Sequence, residues 1–277
     1  MMKMTDTVKQ LLIINILFYI GSNINGDVAY QLFSMFYPEN PNFRVWQPLT
    51  SMFMHAPVYR QESSAGIMHI VFNMFALVSF GSALEHYWGA KKFIFFYISC
   101  GLGAALLHSA VQYFQIQYAL EQLSSLNFSK SDIQILLRAD YGSVFDANGQ
   151  MTASNVKTIL ENAKCTQEQF NILAAAVQDF KSTSLGASGA IYGLLTAFAF
   201  MFPMAELGIM FIPIPIKAKY FVPGILAIDL FLGFKGSSLF GAGGTGVAHF
   251  AHIGGALTGF LMMWYWKKNS FNKNRWD

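Results

Sequence analysis

Charged residues are scarce in this chain. They make up 12% of its 277 residues, whereas hydrophobic residues make up 54%. A soluble globular domain typically has about 25% charged residues, so this composition excludes an ordinary soluble protein. The 27 phenylalanines and 14 methionines indicate that lipid surrounds much of the chain.

Cysteine is also scarce. Cys100 lies in a long apolar segment, and Cys165 lies in a polar connection. We do not expect two thiols in such different surroundings to meet, which excludes a disulfide framework and a cysteine-based metal site. No metal and no cofactor is predicted.

Long apolar segments are abundant instead. Stretches of about 18 to 20 residues with few charges predict transmembrane helices, and the chain has six: 9–26, 66–87, 92–114, 187–204, 218–234 and 246–266. The first lacks the small-residue cleavage site of a signal peptide, so we expect it to be retained. The predicted fold class is an all-α integral membrane protein with a six-transmembrane-helix bundle.

Positive charge falls on one side of this six-span topology. Lysines at the N-terminus, after the second span and after the fourth span share that side with the basic C-terminal tail. The positive-inside rule then puts both termini in the cytoplasm. This asymmetry accounts for the net charge of +3 without nucleic acid as a partner. Trp88, Trp264 and Trp266 suit an aromatic belt at the membrane interface.

Two connections between spans are long enough to have structure of their own. Residues 27–65 are apolar and aromatic but contain four prolines, which favours a first loop half-embedded in the outer leaflet. Residues 115–185 are polar and carry amphipathic helical patterns at 129–138, 154–164 and 167–180. Thr166 and Gln169 predict a capping box before the last of these.

These features predict three parts of the chain. Residues 1–114 form the N-terminal half of the membrane domain, with helices 1 to 3 and the first loop. Residues 115–185 form an extramembrane helical insertion between helices 3 and 4. Residues 186–277 form the C-terminal half, with helices 4 to 6 and a basic cytoplasmic tail.

The segment Gly186-Ala187-Ser188-Gly189 opens the fourth span and is the first candidate for chemistry. It presents a hydroxyl where membrane helices usually carry aliphatic side chains, and a serine becomes a nucleophile when a base takes its proton. The glycines let other groups approach the backbone closely. A packing role is the alternative, because Gly189 and Gly193 form a G-x-x-x-G step suited to helix contact.

His252 in the last span is a candidate base for Ser188. Gly255 and Gly259 form a second small-residue step beside it, which lets two helices pack closely enough for a short hydrogen bond between these side chains. Ionisable residues within spans are rare and mark functional candidates, although a buried histidine can also join helices by hydrogen bonding. Tyr192, one turn after Ser188, can place its ring against the His252 imidazole.

Two other residues compete for a role near this pair. His249 lies one turn before His252, and its position near a glycine-rich loop at 243–246 places it closer to water. We therefore prefer His252 as the base. Asp229 lies near the outer end of the fifth span, where we expect a loop or interface contact and not a third catalytic residue.

His69 and Asn73 stand four residues apart at the start of the second span, which stacks them on one helix face. Both side chains can donate hydrogen bonds, and a tetrahedral intermediate needs donors aimed at its oxyanion. Hydrogen bonding between helices is the alternative role for this pair.

Together these residues resemble the rhomboid family of intramembrane serine proteases. Each motif is weak alone, but their order along the chain, each on a separate predicted element, is specific. The motifs are the Trp46 loop, His69-x-x-x-Asn73, Gly81 through Glu85 leading to Gly89, Tyr97 with Gly101, Gly186-x-Ser188-Gly189 and Ala251-His252-x-Gly254-Gly255.

The resemblance implies an intramembrane serine endopeptidase that cleaves peptide bonds in or next to transmembrane segments of its protein substrates. It assigns Ser188 as the nucleophile and His252 as the general base, a dyad without a catalytic acid. It places His69, Asn73 and the backbone N–H of Ser188 in the oxyanion hole. Supporting roles go to Tyr192, Gly186, Gly189, Gly255 and Gly259.

The family resemblance also implies that Glu85 is a structural residue between the first loop and the core. Two features depart from the family pattern. Gln47 stands where arginine usually follows the loop tryptophan, and this puts a structural contact of the first loop in doubt. The insertion between helices 3 and 4 is longer than is usual, and we expect it to affect substrate access.

Other functions remain open at this point. A catalytically silent rhomboid-like protein would bind membrane clients without cutting them, but such proteins typically lose the serine or the histidine. Metal transport through His249 and His252 would need further ligands facing that pair. The lack of a targeting peptide favours a bacterial cytoplasmic membrane over an organelle. The oligomeric state and the physiological substrate are left open.

Overall fold

The computed structural model describes residues 3–55, 63–146, 149–209, 212–235 and 247–270. Within these ranges the backbone forms thirteen α-helices and four short strands. Parts of the predicted first loop (56–62), the glycine-rich loop (243–246) and the basic tail (271–277) lie outside the described residues.

All six predicted spans contain helices. They are α1 (Asp6–Ile24), α4 (Ser63–Ala76) joined to α5 (Ser82–Trp88) by a π-helical turn, α6 (Ala90–Gln122), α11 (Ser188–Met201), α12 (Ala218–Lys235) and α13 (Val247–Ser270). Among the described residues, three helices are long and apolar enough to cross a membrane: Asp6–Ile24, Ile67–Trp88 and Ala90–Gln122. The predicted all-α membrane protein is therefore confirmed as a fold class.

The fourth predicted span is shorter than expected, because α11 ends at Met201 and not at residue 204. Pro203 disfavours helical geometry in the residue before it. A helix of 14 residues is about 21 Å long, whereas the hydrocarbon core of a bilayer is about 30 Å thick. If α11 runs across the bilayer, at least one of its ends lies within the membrane.

The remaining α-helices and strands lie between these spans. They are α2 (Gly26–Phe33), β1 (Met35–Phe36), α3 (Gln47–Thr50), α7 (Lys130–Arg138), α8 (Tyr141–Val144), α9 (Asn155–Asn162), α10 (Gln167–Lys181), β2 (Thr183–Ser184), β3 (Glu206–Ile209) and β4 (Ile212–Lys217). Strands β3 and β4 pair antiparallel, with Glu206 opposite Lys217 and Ile209 opposite Ile212. The sequence pattern did not predict this hairpin.

The chain divides into two compact units. The membrane unit comprises Met1–Met35, Arg44–His108 and Ser184–Asp277, and the small unit comprises Phe36–Phe43 and Ser109–Thr183. The predicted insertion at 115–185 is a narrower segment than the small unit, and its extramembrane position stays a prediction.

Glycines bring the helices of the membrane unit into backbone contact. A Cβ on Gly255 of α13 would overlap the carbonyl oxygen of Gly189 on α11, and a Cβ on Gly259 would lie 2.9 Å from the Cα of Gly193. Helix α6 joins this contact, because a Cβ on Gly254 would lie 2.8 Å from the carbonyl oxygen of Gly103. The close approach fixes α11 and α13, which carry Ser188 and His252.

Glu85 is buried and accepts hydrogen bonds from the start of α1. Its carboxylate accepts from Thr5 Oγ1 at 2.5 Å, from the Val8 backbone N–H at 3.0 Å and from the Thr7 backbone N–H at 3.2 Å. The first N–H groups of a helix have no partner within the helix, and negative charge is stabilising there. Glu85 is thus structural, and its observed partners among the described residues lie at the N-terminus of α1.

The first loop is held by side chains around its tryptophan. Trp46 Nε1 donates to the Leu32 carbonyl at 2.9 Å, and the fully buried Gln47 donates to the Gln31 carbonyl at 3.1 Å. Gln47 also accepts from the Arg44 N–H at 3.0 Å. Gln47 therefore makes structural contacts of its own in the place where the family usually has arginine.

Aromatic and basic side chains meet at one end of the membrane unit. The rings of Trp88 and Trp266 lie 5.5 Å apart, edge to face, and Lys92 Nζ lies 4.2 Å from the centre of the Trp266 ring. The end of α5, the start of α6 and the end of α13 are therefore neighbours, as the six-span topology requires. Which side of a membrane they face stays a prediction.

The small unit has a hydrophobic core of its own, centred on Leu136, Leu160 and Leu173. Three predicted helical patterns correspond to α7, α9 and α10, and the predicted capping box of Thr166 and Gln169 is present. Helix α8 was not predicted, because a single turn of four residues has no detectable periodicity.

Candidate active site

Ser188 and His252 lie within hydrogen-bonding distance in the membrane unit. Ser188 is the first residue of α11, and His252 lies in the second turn of α13. His252 Nε2 is 2.8 Å from Ser188 Oγ. The glycine contacts between the two helices bring these side chains together, so the distance follows from the packing of the backbones.

Gly186 forms the turn that leads into α11. Its φ of 122° is a conformation that side chains with a Cβ rarely adopt. Its N–H donates to the Ser51 carbonyl at 2.9 Å, which ties the turn to the first loop. A Cβ at this position would lie 3.2 Å from His69 Cε1 and 3.5 Å from Ser188 Oγ, so the missing side chain leaves open the space between His69 and Ser188.

Tyr192 lies flat against His252. The two ring centres are 4.2 Å apart and the ring planes differ by 10°. Tyr192 follows Ser188 by four residues on α11, so the hydroxyl and the stacking ring share one helix face. The stack restricts rotation of the imidazole whose Nε2 faces Ser188.

Asp229 contacts both histidines of α13. Its Oδ2 is 3.2 Å from His252 Nδ1 and its Oδ1 is 2.5 Å from His249 Nδ1. The carboxylate is buried, with 3% of Asp229 exposed. The expectation of a loop or interface contact is therefore wrong, because α12 packs on α13 with Asp229 turned toward the histidines.

A signal for this contact was present in the sequence. An acidic side chain within a span is costly unless it is paired, and the next predicted span carries two histidines that could serve as its partners. Choosing that pairing required the relative rotation of α12 and α13, which the sequence pattern does not specify.

His249 is buried, with 4% of the residue exposed, so the expectation that it lies closer to water is wrong. Its hydrogen bond is to Asp229, whereas His252 is the histidine beside Ser188. The geometry supports the choice of His252 over His249 as the partner of Ser188.

His69 and Asn73 stack on one face of α4, as their spacing predicts. Asn73 Nδ2 donates to the His69 carbonyl at 2.7 Å, and Asn73 is buried. An amide group carries two N–H donors, so this bond uses only one of them. His69 Nε2 and Ser188 Oγ both lie within 3.5 Å of the Cβ position that Gly186 lacks.

His55 is a site neighbour that sequence reasoning missed. It is fully buried, its ring lies 5.3 Å from that of His69, and its Nε2 is 2.9 Å from Asn15 Oδ1. Burial, with a smaller contribution from His69, lowers the pKa of His55 to about 3. The ring is therefore neutral at pH 7 and supports His69 without adding charge.

A cavity of about 40 Å³ borders Ser188 and His252. It is lined by residues of the first loop, α6, α11 and α13, and these include Ser51, Ala104, Gly186, Ser188 and His252. A polar cavity needs roughly 10–15 Å³ to hold one water molecule. The site therefore has room for the water that a hydrolysis consumes.

Among the described residues, Asp229, His249 and His252 form a group that could hold a metal ion. Their ligand atoms lie within 4.8 Å of one another, and carboxylate and imidazole groups are ligands for zinc. The observed arrangement brings each Nδ1 directly to a carboxylate oxygen, which is the geometry of hydrogen bonds between these groups.

Comparison with known proteins identifies the family of the chain. A family model described as the Rhomboid domain matches residues 42–116 and 166–269. The chain is 32% identical over 90 residues to Rhomboid protein 1, mitochondrial, of Saccharomyces cerevisiae, a match that covers 31% of this chain. The chain spans 22% of the length of that curated relative. The two ranges matched by the family model contain Ser188, His252 and Asp229, and together they make up more than half of the chain. The chain therefore belongs to the rhomboid family.

Proposed function

We propose that this protein is an intramembrane serine endopeptidase in which Ser188 is the nucleophile and His252 is the general base. Membership of the rhomboid family supports a protease type of function in general. The observation that carries the specific proposal is the 2.8 Å separation of His252 Nε2 and Ser188 Oγ. A serine activated by an adjacent base is the arrangement that nucleophilic catalysis requires.

The proposed reaction begins when Ser188 Oγ attacks the carbonyl carbon of a peptide bond. His252 Nε2 takes the hydroxyl proton as the new C–O bond forms, and a tetrahedral intermediate with a negative oxygen results. His252 then gives the proton to the leaving amine as the C–N bond breaks. A water molecule, deprotonated by His252, hydrolyses the acyl-enzyme and restores Ser188.

Three donors are proposed for the oxyanion. The backbone N–H of Ser188 belongs to the first turn of α11, where N–H groups lack partners within the helix. His69 lies beside Gly186 and Ser188, and Asn73 has a second amide hydrogen beyond the one given to the His69 carbonyl. Donors fixed in place before the reaction stabilise developing negative charge most effectively.

The proposed substrates are transmembrane proteins in the lipid bilayer. The rhomboid family acts on such substrates. A peptide bond within a helix is shielded by the helix's own hydrogen bonds, so we expect cleavage where the substrate helix unwinds easily. Small and helix-weakening residues at the cleaved bond fit this requirement.

The protein is an integral multi-pass membrane protein. We propose that both termini lie in the cytoplasm, because of the charge asymmetry of the sequence. A bacterial cytoplasmic membrane stays the proposed location. The same proposal divides the chain into membrane halves at 1–114 and 186–277 and an extramembrane helical insertion at 115–185.

The test is labelling of folded protein in detergent with a fluorophosphonate, which reacts with an activated serine hydroxyl. We expect labelling of the wild type and none of the Ser188→Ala or His252→Ala variants. Thr258→Val is the matched control, because it removes a half-buried hydroxyl from α13 that donates to the Gly254 carbonyl of the same helix; it should label like the wild type. A folded wild type that does not react would support the silent, client-binding alternative.

A further inference from the structure

We propose that Asp229 is a positioning residue that extends the Ser188–His252 pair into a hydrogen-bonded chain of serine, histidine and aspartate. The family resemblance implied a dyad without a third member, so this arrangement is a departure from the expected mechanism. The inference rests on the proposed function, because it gives Asp229 a role through His252.

The geometry places the three groups in sequence along one imidazole ring. Ser188 Oγ lies 2.8 Å from Nε2 on one side of the His252 ring, and Asp229 Oδ2 lies 3.2 Å from Nδ1 on the other side. The carboxylate is buried, so water does not readily replace it as a partner. Both nitrogens of His252 therefore have a defined neighbour.

The carboxylate determines where His252 carries its hydrogen. An ionised carboxylate only accepts hydrogen bonds, so the Nδ1 facing Asp229 must carry the hydrogen. A neutral imidazole has one N–H, which leaves the lone pair of Nε2 facing Ser188. This tautomer can take the serine proton, whereas the other tautomer cannot. Asp229 also stabilises the imidazolium that forms when the proton is transferred.

His249 is the second partner that holds the carboxylate. Its Nδ1 lies 2.5 Å from Oδ1, while His252 uses Oδ2. The two histidine donors on the two oxygens, together with a hydrogen bond from the Tyr192 hydroxyl, fix the orientation of the carboxylate and offset the cost of burying its charge. His249 thus supports Asp229, and it acts on Ser188 only through Asp229 and His252.

A metal ion is the competing interpretation of the same three residues. A metal bound by both Nδ1 atoms and the carboxylate would replace the hydrogens that these atoms share. The 2.5 Å and 3.2 Å separations and the approach of His252 Nε2 to Ser188 favour hydrogen bonding. The metal is therefore treated as an outcome of the test.

The first experiment replaces Asp229 by asparagine, which is close to isosteric. The amide can accept at its oxygen but donates at its nitrogen. We expect the oxygen to keep the closer contact with His249, so that the nitrogen faces His252 Nδ1 and forces His252 into the other tautomer. We expect kcat for cleavage of a transmembrane substrate to fall by about 10² to 10⁴, with KM changed by less than about threefold because Asp229 does not touch substrate. The Thr258→Val control should keep the wild-type kcat.

A double variant separates positioning from mere stability. In Asp229→Asn combined with His249→Phe, the amide no longer has to serve His249, so its oxygen is free to accept from His252 Nδ1. We expect kcat to recover by at least about tenfold over the single variant. A purely structural role predicts a further loss instead, because the second substitution removes another buried polar contact.

A second measurement needs no variant of Asp229. Nitrogen-15 NMR of histidine-labelled wild type reports which nitrogen of each ring carries hydrogen, and His252→Ala identifies the His252 signals. We expect hydrogen on Nδ1 of His252. Hydrogen on Nε2 would overturn the inference even if the Asp229→Asn variant does not fold, and so would one equivalent of metal bound in active protein.

The outcomes distinguish this inference from the proposed function. If Ser188→Ala and His252→Ala are inactive while folded Asp229→Asn keeps a kcat within about threefold of the wild type, only the inference about Asp229 fails. If the Ser188→Ala and His252→Ala variants still cleave, the proposed function fails.

Discussion

Gly255 of α13 and Gly189 of α11 touch through their backbones, so closely that a Cβ on Gly255 would overlap the Gly189 carbonyl oxygen. This contact lies one turn from His252 and one residue from Ser188. The distance between the two proposed catalytic side chains therefore depends on the absence of a side chain at position 255.

Gly255→Ala should lower both stability and activity. The added methyl group has no space, and overpacking of this kind typically costs about 1–3 kcal/mol. Separation of the helices would also lengthen the Ser188–His252 hydrogen bond. Thermal unfolding in detergent and cleavage kinetics measure the two effects.

Gly224→Ala is the matched control for that substitution. It lies on α12, and apart from its chain neighbours and the nearby backbone of α12, no atom of the described residues lies within 4 Å of the position its Cβ would take. Because alanine favours helix more than glycine, this variant should be as stable as the wild type or more so. If Gly224→Ala lost as much stability and activity as Gly255→Ala, the account of the glycine contact would be contradicted.

Glu85→Gln should destabilise the membrane unit without removing activity. The carboxylate accepts from Thr5 and from backbone N–H groups at the start of α1, and loss of charged hydrogen bonds at a helix N-terminus costs roughly 1–3 kcal/mol. The exposed Glu121 on α6 provides the control Glu121→Gln. If Glu85→Gln unfolds at the same midpoint as the wild type, the hydrogen bonds of Glu85 to the start of α1 contribute little to stability.

Asn73→Ala tests the proposed oxyanion hole. If its amide donates to the oxyanion, kcat should fall by about 10² to 10³, which corresponds to about 2.7–4 kcal/mol. Substrate binding in the ground state should change little, so KM should stay near the wild-type value. Retention of kcat by a folded variant would remove Asn73 from the proposed mechanism.

The small unit should lose stability as pH rises from about 4 to 6. Burial raises the pKa of Asp179 from 3.8 to about 6, so the folded state binds the proton more tightly than the unfolded state. The stabilisation that comes from protonated Asp179 is complete below the pKa of Asp179 in the unfolded state. It is lost as pH rises through the pKa of Asp179 in the folded state. Hydrogen exchange of the amides in 130–181 of the full chain measures this trend.

Asp179→Asn is the variant that tests the origin of that pH dependence. The amide does not titrate, so protection of the same amides should change less between pH 4 and 7 than in the wild type. An unchanged pH dependence in the variant would assign it to another group. Cleavage at pH 7 should continue, because Asp179 belongs to the small unit.

The positions of the helices could be predicted because their signals are local. Long apolar runs located helices in all six predicted spans, and amphipathic periodicity located α7, α9 and α10. The capping box at Thr166 is likewise a pattern of four residues. A serine and a histidine near the starts of two predicted spans were sufficient to name Ser188 and His252 as candidates.

Contacts between distant parts of the chain could not be predicted in the same way. Glu85 contacts residues 77 to 80 positions away, and Asp229 reaches histidines across a connection between two spans. Such pairings depend on how the helices are rotated about their axes. Hydrophobic periodicity leaves that rotation undetermined when a helix is apolar on most of its faces.

The most direct test of the account is cleavage of a model transmembrane substrate in liposomes by the wild type, Ser188→Ala and His252→Ala. The account predicts cleavage by the wild type and none by either variant, with both variants folded as judged by thermal unfolding. Cleavage at the wild-type rate by both variants would contradict the assignment of Ser188 and His252 to catalysis.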